Sequence, residues 1–291
     1  MQQIQLPALS QAELDIAFSS FAGMDGGNPA AAIWVCDAAP LNGYVPLSVA
    51  LQRQPIPGTW DKAFRWRHAH LLPRWQTHYR IARVLAAARG AALPPGRTPI
   101  TAQEYFDGYL YAPRGWDFKL SLFPLPERPD QALPWRKVFR EQPVLRLKSE
   151  YLRLCRLGGR FRFISSLRRQ YCPRVVLCLG ERHAHDYQRA FGFEDVERND
   201  LFLKPADLAR RLQVFEHDQT TLVLSPPFAG AHGLSSDVQL DALGAFLAQW
   251  LRPTDFPPRL SVAEQSCDAE PASMALPATC ELALTEAAIA A

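Results

Sequence analysis

No stretch of this 291-residue chain approaches the ~18–20 consecutive apolar residues that a membrane-spanning helix requires, so no membrane partner is expected. The first residues, MQQIQLPALSQAELD, carry neither the basic run nor the apolar run of a secretory signal. The six cysteines (Cys36, Cys155, Cys172, Cys178, Cys267 and Cys280) include no C-x-x-C pair. In a chain without a secretory signal, such scattered cysteines are expected to be reduced thiols, and the protein to be cytoplasmic. Internal repeats are also missing. What is present is an ordinary globular composition, 48% hydrophobic and 21% charged, long enough to bury a core without disulfide or metal staples. Proline is abundant at 25 residues, which predicts many loops and interrupted elements.

The formal net charge of +3 hides an uneven distribution. Residues 262–291 hold five acids and no Lys or Arg, whereas residues 136–174 hold twelve Lys and Arg against Glu141 and Glu150. Gathered on one face, such a basic stretch would make a field suited to a polyanion. From about residue 253 the chain is Ala- and Pro-rich and acidic, and residues 253–291 are expected to be a disordered tail.

Short apolar runs bounded by turn residues predict strands at 31–37, 118–123, 173–180 and 221–225. Amphipathic periodicity predicts a helix over 74–89 stopped by Gly90, and a short helix near 101–109. Basic helices are expected at 137–157 and 161–171, and further helices at 182–191 and 237–251. Strands alternating with helices predict an α/β three-layer sandwich with a central, mainly parallel sheet, formed by one domain over residues 15–252. In such folds the site lies at the carboxyl ends of the strands.

Taken in order, these strand ends resemble the uracil-DNA glycosylase superfamily, in particular its bacterial iron–sulfur branch. Gly26-Gly-Asn-Pro29, the apolar run at 32–35 and Cys36-Asp-Ala-Ala-Pro40 are similar to that branch's opening segment, strand and first loop. The segment at 118–124 is similar to its base-reading strand. The run at 173–180 is similar to its Pro-x-hydrophobic-Leu-Gly element, and Ser225-Pro226-Pro227 to its last motif. The resemblance covers residues 21 to about 251 and implies a uracil-DNA glycosylase-like fold that binds DNA and excises a deaminated or damaged base. The departures fall on the chemistry. Ser121 stands about where the family's base-reading Asn would be. No His occupies the last motif, His232 being the nearest. The iron–sulfur cysteines are missing except for Cys155. An iron–sulfur cluster needs four thiolates, so no cofactor and no metal cluster is expected, and Cys155 and Cys172 read as buried small apolar residues. His183-x-His185-Asp186 lacks metal-ligand spacing on a helix.

Asp37, at a strand end followed by a small-residue loop, is the candidate catalytic acid, acting on water or on the sugar cation beside an extruded nucleotide. Tyr44 and Phe228 are candidates to stack on the base, and Ser121 and His232 to hydrogen-bond with it. Leu234, in Gly233-Leu-Ser235, resembles the superfamily's wedge that replaces the extruded base in the duplex. Arg160 and Arg162, interleaved with Phe161 and Phe163, are candidate contacts to the DNA backbone, as are Arg168 and Arg169. Two alternatives stay open. Without the family's Asn and His, the chain could be a non-catalytic module that binds nucleic acid or a modified base. Leu224-Ser-Pro-Pro-Phe228 is also similar to the loop of amino-methylating DNA methyltransferases, although the closely spaced glycines of a nucleotide-donor loop are missing after the first strand.

Overall fold

The structure, a computed structural model, describes residues 8–40, 46–130, 132–205, 209–230 and 232–258. Tyr44 and residues 259–291 of the expected tail lie outside the described residues.

Seven strands form one sheet in the order β1-β3-β2-β4-β7-β6-β5. They are β1 (Gly26–Gly27), β2 (Ile33–Asp37), β3 (Asp117–Ser121), β4 (Val175–Leu179), β5 (Asn199–Leu203), β6 (Arg210–His217) and β7 (Thr220–Ser225). The central strands β3, β2, β4 and β7 are mutually parallel, while β1, β6 and β5 join antiparallel. The sheet is therefore mixed, not mainly parallel. The correction comes from segments without a clear apolar pattern. Arg210-Arg-Leu-Gln-Val-Phe-Glu-His217 has only its middle buried, and β5 is a largely exposed edge strand.

The helices are α1 (Gln11–Phe18), α2 (Leu47–Ala50), α3 (Lys62–Arg67), α4 (Gln76–Ala92), α5 (Ala102–Gly108), α6 (Trp135–Val138), α7 (Lys148–Leu157), α8 (Gly159–Tyr171), α9 (Ala184–Phe191) and α10 (Asp237–Leu247). Helix α4 runs through Gly90, where a helix end was expected. That glycine has open space around it, and one interior Gly costs only about 1 kcal/mol against Ala. The single basic helix expected over 137–157 is instead α6, a 3₁₀ turn at Pro143–Leu145, and α7. Pro143, lacking an N–H, ends the possibility of a continuous helix.

Side chains alternate across the central strands into two buried clusters, as a pleat requires. Trp34, Phe118, Leu120, Val176 and Leu222 join residues of α1, α7, α8 and α9. Ile33, Val35, Leu177 and Val223 join residues of α4, α5 and α10. Helix α10 lies so close to α4 that a Cβ on Gly244 would meet the Val84 carbonyl oxygen at 2.4 Å. Packing extends past the boundary expected at 252. Phe256 is buried, Asp255 pairs with Arg174 at 3.0 Å, and Trp116 Nε1 donates to the Pro257 carbonyl. No helix of the described residues is long and apolar enough to cross a membrane.

Candidate functional site

The parallel strands β2, β3, β4 and β7 all end at one edge of the sheet, and register sets Asp37 of β2 beside Ser121 of β3. A cavity of about 440 Å³ opens there, within the usual range for small-molecule sites. Asp37, Phe123, Tyr151 and Phe228 are among its walls, with Glu127, Lys148 and Arg182 also lining it. The candidate catalytic carboxylate is thus in a concave, largely apolar and aromatic site.

Asp37 is held from both oxygens. The Ser121 hydroxyl donates to Oδ1 at 2.6 Å, and Lys119 Nζ donates to Oδ2 at 2.6 Å. Lys119 has no exposed surface, and its ammonium also donates to Asp25 Oδ2 at 2.9 Å. Asp25 comes from the turn leading into β1. That turn depends on glycine, because Gly26 and Gly27 have φ of 99° and 104°, and a Cβ on Gly26 would collide with the Gly58 carbonyl. Beyond Asp25, His78 Nε2 approaches Asp25 Oδ1 at 3.9 Å, and its Nδ1 lies 3.1 Å from the Tyr111 hydroxyl. Ser121, Asp37, Lys119, Asp25, His78 and Tyr111 form one buried polar chain, with Asp37 the member that lines the cavity of about 440 Å³.

Burial raises the Asp37 carboxyl above its ordinary value. The Lys119 ammonium opposes this and the Asp25 carboxylate reinforces it. Burial alone would pull Lys119 down, but Asp25 and Asp37 outweigh it and keep the ammonium charged. Burial also depresses His78 to about 4, with Asp25 opposing, so its ring is neutral at neutral pH. An unfolded His78 takes up a proton near pH 6.5, whereas the folded ring waits until about pH 4. Its contribution to stability is therefore present above 6.5 and lost as the pH falls toward 4. Urea melts of wild type and His78→Gln between pH 7 and pH 4.5 should differ in slope by up to about one proton, the wild type losing stability faster on acidification. Parallel slopes would remove His78 as the source.

The other expected site residues are placed as follows. Phe228 lines the cavity. Ser121 has no exposed surface and is spent on Asp37, so it positions the acid instead of reading a base. His232 is exposed and is not among the residues lining the cavity. Leu234 is fully buried in the cluster with α4 and α10, and its N–H donates to the Pro227 carbonyl at 2.8 Å. The loop folds back to bury that side chain, so a protruding wedge is corrected to a core plug. Arg160 is also corrected, because its guanidinium is wholly buried on backbone carbonyls and offers DNA no surface. Arg168 is nearly as buried, its guanidinium over the Phe193 ring. Arg162 and Arg169 are exposed on α8 and line no part of the cavity. Cys155 is buried as expected, but Cys172 is exposed where α8 ends.

Much of the charge of residues 136–174 is neutralised locally. Arg156 forms a two-pronged pair with Asp186, Arg153 pairs with Glu150, and Arg174 pairs with Asp255. Among the described residues, no group of three or more His, Cys, Asp or Glu is placed to hold a metal ion. Sequence reading missed Lys119, Asp25, His78 and Phe123. The one signal for Lys119 was its place among Asp117, Lys119 and Ser121, three alternate polar positions of a strand. No family model, curated protein or solved structure matches the chain.

Proposed function

We propose that this chain binds DNA and cleaves the N-glycosidic bond of a deaminated or damaged base, on a three-layer, uracil-DNA glycosylase-like fold. The observation that carries the reading is the Asp37 carboxylate, fixed by Lys119 and Ser121 on the wall of an aromatic-lined cavity. Cleaving such a bond develops positive charge on the sugar and needs a water at the anomeric carbon. A carboxylate with one lone pair free on each oxygen can face that charge or take the proton of that water. Lys119 and Ser121 leave it no rotational freedom, so its orientation is fixed before substrate arrives. Phe123 and Phe228 line the cavity that an extruded base would enter. Lys148 and Arg182 add cationic groups for flanking phosphates.

The test is base release from oligonucleotides carrying uracil, hypoxanthine, xanthine or an alkylated base, read as strand breaks after alkali. Asp37→Asn, which keeps the shape, should slow release by at least about 10²-fold while leaving DNA retention in a gel shift unchanged. Equal release by the variant would take Asp37 out of the chemistry. No release by a wild-type protein that retards DNA would leave the non-catalytic binding module as the reading.

A further inference from the structure

The chain has 29 Asp and Glu, yet none falls between residues 62 and 103, a stretch with eight Lys and Arg. Four of those cations are engaged inside the molecule. Arg65 donates to the carbonyls of Trp60, Phe106 and Leu110, Arg80 to that of Phe228, Arg83 pairs with Asp237 and Asp241, and Arg89 lies over Trp116. Lys62, Arg67 and Arg74 are exposed and, among the described residues, carry no ion pair. Between them stands Trp66, 85% exposed, the most exposed of the large apolar side chains described.

This exposure follows from how α3 is seated. Asp61 caps the helix, accepting from Phe64 N–H at 2.7 Å. Phe64 stacks on the buried Trp60 at 5.1 Å, so the Phe64–Arg65 side faces inward. Lys62 and Trp66, one turn apart, share the other side. Trp60 in turn packs edge-on against His78, 4.9 Å away in the first turn of α4. Thr77 of that same turn lines the cavity with Asp37. The cationic segment with its outward indole therefore continues directly into a wall of the cavity. The acids bordering the segment are Asp61, occupied as a cap, and Glu104, which accepts from the N–H and the hydroxyl of Thr101 at the start of α5.

We infer that Lys62, Trp66, Arg67 and Arg74 form a binding surface for single-stranded nucleic acid, with the Trp66 ring stacking on an unpaired base and the three cations on the adjoining phosphates. An indole this exposed gains from a base face in any sequence, and flanking cations supply the salt-dependent term. The inference rests on the DNA-binding part of the proposed function and places the contact on α3 and the turn before α4, not on α8.

The test uses the full chain and a fluorescent oligothymidylate titrated at several salt concentrations. Trp66→Ala is expected to weaken binding by about 5- to 150-fold, with Trp66→Phe recovering much of the loss. Lys62→Gln/Arg67→Gln/Arg74→Gln should reduce the salt slope by about 2. Arg162→Gln/Arg169→Gln should change neither quantity. These are surface positions, so melting temperature should stay level across the set and serve as the folding control. Equal affinity of Trp66→Ala and wild type would overturn this surface while leaving DNA binding standing. No binding by wild type would overturn both. Sedimentation with phosphatidylserine vesicles, lost in Trp66→Ala without any oligonucleotide binding, would make the face a membrane contact and overturn the inference.

Discussion

Lys119→Met is expected to destabilise the protein by about 3–5 kcal/mol, the range seen when one partner of a buried ion pair is removed. The ammonium has no exposed surface and sits between two carboxylates, 2.6 Å from Asp37 and 2.9 Å from Asp25. Methionine fills similar space but removes the ammonium that the two buried carboxylates share. Protonation removes the uncompensated charge, and without the ammonium that lowers it the Asp37 carboxyl rises further, so the variant should regain stability as the pH is lowered. Denaturant melts at pH 8 and pH 5 check the sign. The variant should be more stable at pH 5 than at pH 8, and the reverse order would show that the carboxylates are not the cause. Adding Asp25→Asn and Asp37→Asn to Lys119→Met should recover most of the loss, because the three charges act as one unit. A non-additive recovery of this kind separates uncompensated charge from loss of packing.

Arg160→Met is expected to destabilise by about 3 kcal/mol or more, by a different route. Arg160 Nε donates to the Leu122 carbonyl at 3.0 Å, and Nη1 donates to those of Phe18, Ser20 and Ala22. Nη2 completes the set on the Ser121 carbonyl. The side chain thus joins the turn after α1 to the end of β3, beside the catalytic candidate. Five buried carbonyls would lose a charged donor, and each hydrogen bond to a charged group contributes about 1.5–3 kcal/mol before any repair by water or backbone movement. Burial holds this guanidinium down to about 10, yet still charged at neutral pH. Arg160→Lys should restore only part of the stability, since an ammonium has three donors and no planar fork. Chemical denaturation of the three proteins decides the point. If Arg160→Met melts with wild type and instead loses DNA affinity, Arg160 belongs to the DNA surface after all.

Both positions explain why the site was only half legible in the sequence. Asp37 could be found because a strand pattern ends on it and small residues follow. Ser121 could be found as the neighbouring strand end, although its role is to hold Asp37. Lys119 could not, because Asp117-Phe-Lys-Leu-Ser121 alternates polar and apolar residues as a strand with one solvated face would. Here β3 lies between β1 and β2, and its polar face is buried against α4 and α5, where Tyr105 donates to Asp117 and His78 approaches Asp25. Arg160 and Leu234 both read as exposed and are both fully buried. An Arg in a basic stretch reads as surface and is buried, and a Leu between glycine and serines reads as a loop tip and is core.

The sequence by itself determined the parallel centre of the sheet and most of the helices, because burial on both faces of a strand and on one face of a helix leaves a period that local reading detects. It also determined which strand end would carry a carboxylate. Only the tertiary structure decided what that carboxylate meets, which of the many arginines still face solvent, and how β5 and β6 extend the sheet. Those outcomes depend on pairs far apart in the chain, such as Asp25 with Lys119 and Arg160 with Phe18. A charge's local pattern is the same whether its partner is water or another residue, and the folded chain alone chooses between them.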